Sequence, residues 1–223
     1  MKNEYTPKDM KPGTIFKNNS GQEFEIENYI NWSKVFVYFP ETGYRGSFQA
    51  THIRAGRVSD KLHPSICGVG FIGVGSEKSK SKGRNTEAYD RWANMIKRCY
   101  SKKFQSKNPA YKGCSVREDW HNFQNFAKWF YDNYPNDGLD YHLDKDSIVK
   151  GNKVYSEDTC VFLSPEDNSK IAHEKEYELV SPSGDLVKIK NLTSYCKENG
   201  INRSGLSMLA CGGLKSYKGW TMP

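Results

Sequence analysis

The spacing of apolar residues changes along this chain, and that change limits the folds open to it. Over residues 12–58 the apolar positions alternate. The runs "TIFK", "EFEIENY", "KVFVYF" and "YRGSFQATHI" carry β-branched and aromatic residues at every second place. Asn19-Ser20-Gly21, Asn31 to Ser33 and Glu41-Thr42-Gly43 separate them as turns. Four or five strands in so short a stretch predict a small SH3-like β-barrel or a strongly curled sheet. From Thr86 the spacing becomes helical: "TEAYDRWANMIKRCY" puts Tyr89, Trp92, Met95, Ile96 and Cys99 on one face. Thr86 reads as the N-cap, with Glu87 and Asp90 in the first turn, where a carboxylate favours the helix dipole. "HNFQNFAKWFYDNY" repeats the pattern with Phe123, Phe126, Ala127 and Phe130. Period two followed by period 3.6 in separate stretches fits an α+β protein.

Between these stretches lies "CGVGFIGVG". Gly68, Gly70 and Gly73 match G-x-G-x-x-G, but a dinucleotide site needs a strand before the glycines and a helix beginning at them. The next residues, "SEKSKSKGRN", have no helical period, so the stretch reads as a Gly-rich connector leading into a basic linker. Lys78, Lys80, Lys82 and Arg84 in that linker are placed to track a phosphate backbone.

Charge is distributed unevenly. Residues 76–135 hold 13 basic and 6 acidic side chains, residues 136–180 hold 5 basic and 11 acidic, and residues 181–223 hold 6 basic and 2 acidic. Basic segments on either side of an acidic one point to a polyanionic partner. The acidic segment is then either a solvated face or a place where a cation mediates between carboxylates and phosphate. The six cysteines form no C-x-x-C pair, which excludes zinc-ribbon and thioredoxin-type motifs. No apolar run approaches the roughly 20 residues of a membrane span, and the polar start "MKNEYTPKDMKPG" lacks a secretory signal. A soluble protein with free thiols in a reducing cytoplasm is expected.

The last segment has its own order. "YELVSPSGDLVKIK" is a hairpin around Ser181 to Gly184. "NLTSYCKENG" is a short helix capped by Asn191 and ended by Gly200. "INRSGLSMLACGG" is a second helix, capped by Asn202 or Ser204. Two short helices about a Gly-containing turn make a helix-turn-helix candidate, with base contacts expected from Asn202, Arg203, Ser204 and Ser207 and phosphate contacts from Lys215 and Lys218.

The acidic segment "YHLDKDSIVKGNKVYSEDTCVFLSPEDNSK" predicts a hairpin followed by a helix. Its first strand ends near Leu143 to Lys145, its turn covers Ser147 to Lys153, and its second strand runs through "VYSEDTCVFL". Ser164 caps the helix, with Pro165 at its first position and Glu166 and Asp167 in its first turn. Asp144 and Asn168 are then candidate oxygen ligands for Mg²⁺, with Mn²⁺ as a substitute, and such an ion would offset phosphate charge during phosphodiester hydrolysis.

These residues resemble the ββα-metal, or HNH, nuclease family, and especially its divergent copies in bacteriophage homing-type endonucleases. The resemblance puts Asp144 of "LDKD" at the metal-binding acid and Lys145 where the family carries its general-base histidine. Thr159 or Asp158 falls where a middle asparagine is expected, and Asn168 matches the helix ligand. "TEAYDRWANMIKRCYSKKFQSKNPAYKGCSVREDWHNFQNFAKWF" is similar to the segment preceding the motif in phage proteins. The stretch "VSPSGDLVKIKNLTSYCKENGINRSGLSMLACGGLKSYKGW" resembles a DNA-binding repeat appended to such nucleases. Lysine is a poor base at neutral pH. Three roles are therefore open: His142 acts as the base from the same strand face, Lys145 steadies a phosphate or leaving group, or the fold binds DNA without cutting it.

The expected organisation is a β-rich module over 1–75, a basic linker over 76–85, an HNH-like ββα domain over 86–176 and a helix-turn-helix unit over 177–223. Basic residues Arg91, Lys97 and Arg98 lie off the apolar stripe of the first long helix and would grip phosphates. The resemblance implies DNA as partner, a bacterial host cytoplasm as location, and either a metal-dependent endonuclease or nickase or an inactive DNA-binding relative. A third reading makes the N-terminal module a docking surface for a host protein.

Overall fold

In a computed structural model that describes residues 5–167 and 176–223, the alternating segment forms an antiparallel meander. Strands β1 (Ile15–Lys17), β2 (Glu23–Asn31), β3 (Lys34–Phe39) and β4 (Tyr44–Phe48) pair in chain order. Alternation sends Phe24, Ile26, Val35, Val37 and Phe39 to one face, where Met10, Ala50 and Ile53 cover them. The β2–β3 register slips between Ile26 and Asn28 and again between Tyr29 and Asn31. Such irregularities increase local twist, which curls the sheet over its small core.

Two features differ from the sequence reading. The end of the last expected strand, "ATHIR", is instead helix α1 (Ala50–Arg54). Ala50 and Ile53 are three residues apart and both buried, a helical spacing that the β-branched Thr51 and Ile53 concealed. The sheet is also open, since among the described residues no pairing joins β1 to β4.

The next core is built on helices α2 (Glu87–Tyr100), α3 (Lys102–Lys107) and α4 (Phe123–Asn133). The Thr86 hydroxyl accepts from the Tyr89 amide and starts α2. Trp92, Met95, Ile96 and Cys99 of α2 meet Phe123, Phe126, Ala127 and Phe130 of α4, all buried. The Trp92 indole N–H donates to the Trp120 carbonyl at 2.7 Å, so the largest ring in this core leaves no orphan donor.

The glycines before α2 have a packing explanation. A Cβ on Gly70 would lie 3.0 Å from the Trp92 ring, one on Gly73 would lie 1.9 Å from Asn122 Oδ1, and one on Gly75 would lie 2.2 Å from Gln124 Oε1. The chain runs hard against the start of α4, and Phe71 bridges Asn122. Glycine is needed for this close approach, and no helix begins at it as a phosphate cradle would require.

The basic segment is a hairpin rather than a linker: β5 (Lys80–Ser81) pairs with β6 (Arg84–Asn85). Lys82 (φ 49°) and Gly83 (φ 78°) form its tip, both left-handed as a two-residue type I′ turn demands. Glycine meets that demand freely, whereas lysine does so at about 1 kcal/mol or more. Between α3 and α4, β7 (Ser115–Val116) pairs in parallel with β9 (Val154–Tyr155), and beyond α4, β8 (His142–Asp144) pairs with β10 (Val161–Leu163). The expected single return strand is therefore broken at residues 156–160, where the Cys160 amide turns back to the Ser156 carbonyl.

The chain divides into two compact units, Met1–Asp137 with Leu143–Phe162, and Gly138–His142 with Leu163–Pro223. In the second unit, β11 (Tyr177–Val180), β12 (Leu186–Ile189), β13 (Ser216–Tyr217) and β14 (Trp220–Thr221) form a sheet in the order β12-β11-β14-β13. Helices α5 (Leu192–Glu198) and α6 (Arg203–Ala210) cover it. Asn191 caps α5 by accepting from the Thr193 and Ser194 amides, and Asn202 caps α6 by accepting from those of Ser204 and Gly205. Leu179, Ile189, Leu192, Cys196, Leu206, Leu209 and Trp220 make the core. Lys218 (φ 45°) and Gly219 (φ 83°) close the β13–β14 hairpin and set Trp220 into that core. Among the described residues no helix is long and apolar enough to cross a membrane.

Candidate functional site

The acidic turn is held from both sides. Phe162 of β10 packs on Trp129, Phe130 and Tyr134 at ring-centroid distances of 5.1, 5.3 and 5.0 Å, which fixes the strand paired with β8. Tyr155 of β9 is 2% exposed and fixes the other end of the loop. At the end of β8, Asp144 Oδ1 accepts from the backbone amides of Asp146 at 2.8 Å and Ser147 at 2.7 Å, and from the Ser147 hydroxyl. This is an Asx-type turn, in which the carboxylate shapes the backbone after it. Asp144 is half-buried and His142 is exposed, both on β8.

Lys145 points the other way. It is 7% exposed, its ammonium pairs with the Asp146 carboxylate, and it lies 5.7 Å from the centre of the Tyr155 ring. Around it burial pushes the thiols of Cys99 and Cys160 up to about 12. Both thiols are therefore neutral near pH 7, and the counter-charge of Lys145 is Asp146. A cation held in this pair cannot accept a proton.

Asn152 closes the loop. Its Nδ2 donates to the carbonyls of Lys145 at 2.8 Å and Val154 at 2.6 Å, while its Oδ1 accepts from the Val154 amide. It stands just before β9. Thr159, one of the two residues expected at the middle asparagine position, donates to the Val154 carbonyl beside the Ser156–Thr159 turn, and Asp158, the other, pairs with Arg117 at 2.9 Å. Sequence reasoning missed Asn152 because Gly151-Asn152 reads as an ordinary turn. The signal available was an asparagine directly before the first apolar pair of the returning strand.

Among the described residues no group of three or more His, Cys, Asp or Glu side chains gathers to hold a metal ion. Among the described residues the hydrogen bonds to Asp144 fall on Oδ1, which leaves Oδ2 to face a divalent cation there. Mg²⁺ commonly binds one or two carboxylates and takes its other oxygens from water and phosphate, so a single carboxylate fits a weak, substrate-completed site. Asn168, the second expected ligand, lies outside the described residues. The Ser164 hydroxyl accepts from the Asp167 amide at 3.1 Å, and residues 165–167 are helical, as the capping signal predicted.

The expected phosphate contacts divide into two groups. Lys80, Lys82 and Arg84 of the β5–β6 hairpin are exposed, as are Lys78 before it and Lys97. Arg91 and Arg98 are half-buried: Arg91 pairs with Glu87 at 3.3 Å, and the Arg98 guanidinium lies 5.5 Å from the centre of the Tyr111 ring. In the second unit Asn202, Arg203, Ser204, Lys215 and Lys218 are exposed and Ser207 is half-buried, although the Asn202 side chain is engaged in capping. Lys102, Lys103 and Lys107 of α3 add exposed positive charge that the pattern reading did not single out.

No protein-family model matches the sequence. No curated protein matches it. Among solved structures, one of the HNH homing endonuclease I-HmuI, concerned with DNA binding and cleavage, aligns at a TM-score of 0.23 with 16% sequence identity. The alignment covers 44% of this chain and 65% of that one, and at so low a TM-score the likeness carries no structural conclusion.

Proposed function

We propose that this chain is a DNA-binding protein that presents cations from both of its units to the phosphate backbone. The observation that carries this reading is exposure. Lys78, Lys80, Lys82 and Arg84 in one unit, and Arg203, Lys215 and Lys218 in the other, all reach solvent. The α5–turn–α6 pair has the order of a helix-turn-helix, with Arg203 and Ser204 at the start of the second helix, where base contacts are made. Neutralising phosphates releases counterions, so affinity for a duplex should fall steeply as salt rises. Gel retardation of a mixed-sequence duplex across a salt series tests this, and salt-insensitive binding would overturn it.

A second reading, metal-assisted nicking, is favoured by the placement of His142 and Asp144 on one strand, two residues apart and so on one face. A divalent cation bound at Asp144 would offset phosphate charge and stabilise the leaving oxygen. His142 would take the proton from the attacking water, while Lys145 serves the loop rather than the reaction. Supercoiled plasmid with Mg²⁺ or Mn²⁺ separates the readings. Nicking by the wild type that is lost in both Asp144→Ala and His142→Ala supports hydrolysis. Retardation without nicking by all three proteins leaves DNA binding alone.

A further inference from the structure

The β5–β6 hairpin is fixed at its base and open at its tip. At the base, the Thr86 amide and hydroxyl donate to the Ser79 and Lys78 carbonyls, each at 2.9 Å. Gln124 of α4 accepts from the Glu77 amide and donates to the Glu77 carbonyl, at 2.9 and 3.0 Å. Residues 80–85 are all exposed. We propose that this ribbon enters the major groove of duplex DNA tip first, with Lys82 leading and Arg84 reading base edges. The proposal rests on the DNA-binding reading above.

Size, the residue at the tip and the remaining side chains favour the groove over the outside of the backbone. Two residues on each side of the turn extend about 7 Å at the rise of a strand and the Lys82 side chain reaches beyond them, while the major groove is about 8.5 Å deep and wide enough for a two-stranded ribbon. At the tip, a type I′ turn favours Asn, Asp or Gly at both centres, yet Lys82 holds φ 49° there. A strained residue is kept for what its side chain does, and at this tip the side chain offers only charge and reach. Asn85 is engaged, its amide donating to Asp90 at 2.8 Å, so it braces the ribbon against α2. Arg84, opposite Ser81, is exposed and carries the fork that pairs with N7 and O6 of guanine.

The test uses the full chain with a mixed-sequence duplex, followed by fluorescence anisotropy across salt and by methylation of guanine N7, a major-groove atom. Lys82→Asn keeps a residue the turn favours. It should leave the melting temperature unchanged or higher, weaken binding roughly 5-fold at 0.1 M salt, and lower the salt slope by about 0.9. Arg84→Ala should remove N7 protection at a guanine that the wild type protects. The ribbon proposal is overturned if the wild type binds in a salt-dependent way but Lys82→Asn shares its affinity and slope, or if N7 reactivity is the same with wild type and Arg84→Ala. If the wild type itself shows no salt-dependent binding, the DNA-binding reading fails first and the ribbon proposal falls with it.

Discussion

Asn152 and Gly205 show how much of this fold depends on single side chains. Asn152 ties carbonyls on both sides of the Asp144 loop, one of them seven residues back. Each net hydrogen bond is worth about 1 kcal/mol, so Asn152→Ala should destabilise the loop by about 2 kcal/mol. Thermal unfolding checks this, and Asn152→Asp, which keeps the acceptor and loses the donors, should fall between. At Gly205 of α6, an added Cβ would lie 2.2 Å from the Tyr217 ring. Gly205→Ala therefore drives α6 off the β13–β14 hairpin, at a cost of about 1–3 kcal/mol by urea denaturation, even though alanine is the better helix former. Neither dependence was legible in advance. Both join residues that no periodicity connects, and a glycine within "RSGLS" reads as a weakness in a helix rather than as room for a ring from another element.

Among the elements, the two long helices were the most legible. Trp92, Met95, Ile96 and Cys99, then Phe123, Phe126, Ala127 and Phe130, are buried where the 3.6 period put them. Aromatic residues at that spacing leave few alternatives. The basic hairpin was hidden because its turn uses Lys-Gly in place of Asn-Gly, and its strands are too short to alternate. The return strand was misread because "VYSEDTCVFL" keeps its β-branched and aromatic content through a turn that only the Ser156 backbone reveals. Burial in the helical core also predicts a pH response. The Cys99 and Cys160 thiols move from an ordinary value of 9.0 up to about 12 because burial disfavours the thiolate. The folded state holds these protons more tightly than the unfolded state. Stability is thus fully present below about pH 9 and falls as pH rises toward 12, by up to about 1.4 kcal/mol per unit for each thiol. Urea midpoints should hold steady up to about pH 9 and drop between about pH 9 and pH 10.5, and Cys160→Ala should flatten the fall. At pH 8 a thiol reagent should label Cys67 and Cys211 quickly, because they are exposed, and the four buried cysteines only on unfolding.

For the molecule as a whole, the α+β class was legible from the change in apolar spacing, and the charge distribution now has positions in space. Part of the acidic segment is already neutralised: Glu157 and Asp158 both pair with Arg117. Among the described residues Lys80, Lys82 and Arg84 of the basic hairpin and Arg203, Lys215 and Lys218 of the second unit form no such pairs, and the two sets belong to different compact units. If both units engage one duplex, their phosphate contacts should add in the salt dependence, because each neutralised phosphate releases its own share of counterion. Replacing Lys80, Lys82 and Arg84 together by alanine should lower the slope of log affinity against log salt by about 2.7, and the same change at Arg203, Lys215 and Lys218 should lower it by a similar amount. Combining the two sets should lower it by about the sum. A set whose removal leaves the slope unchanged marks a unit that does not touch DNA. A combined loss no larger than either single loss means that the two units do not bind the same duplex at once, and the gain in affinity expected from linking two sites would be absent.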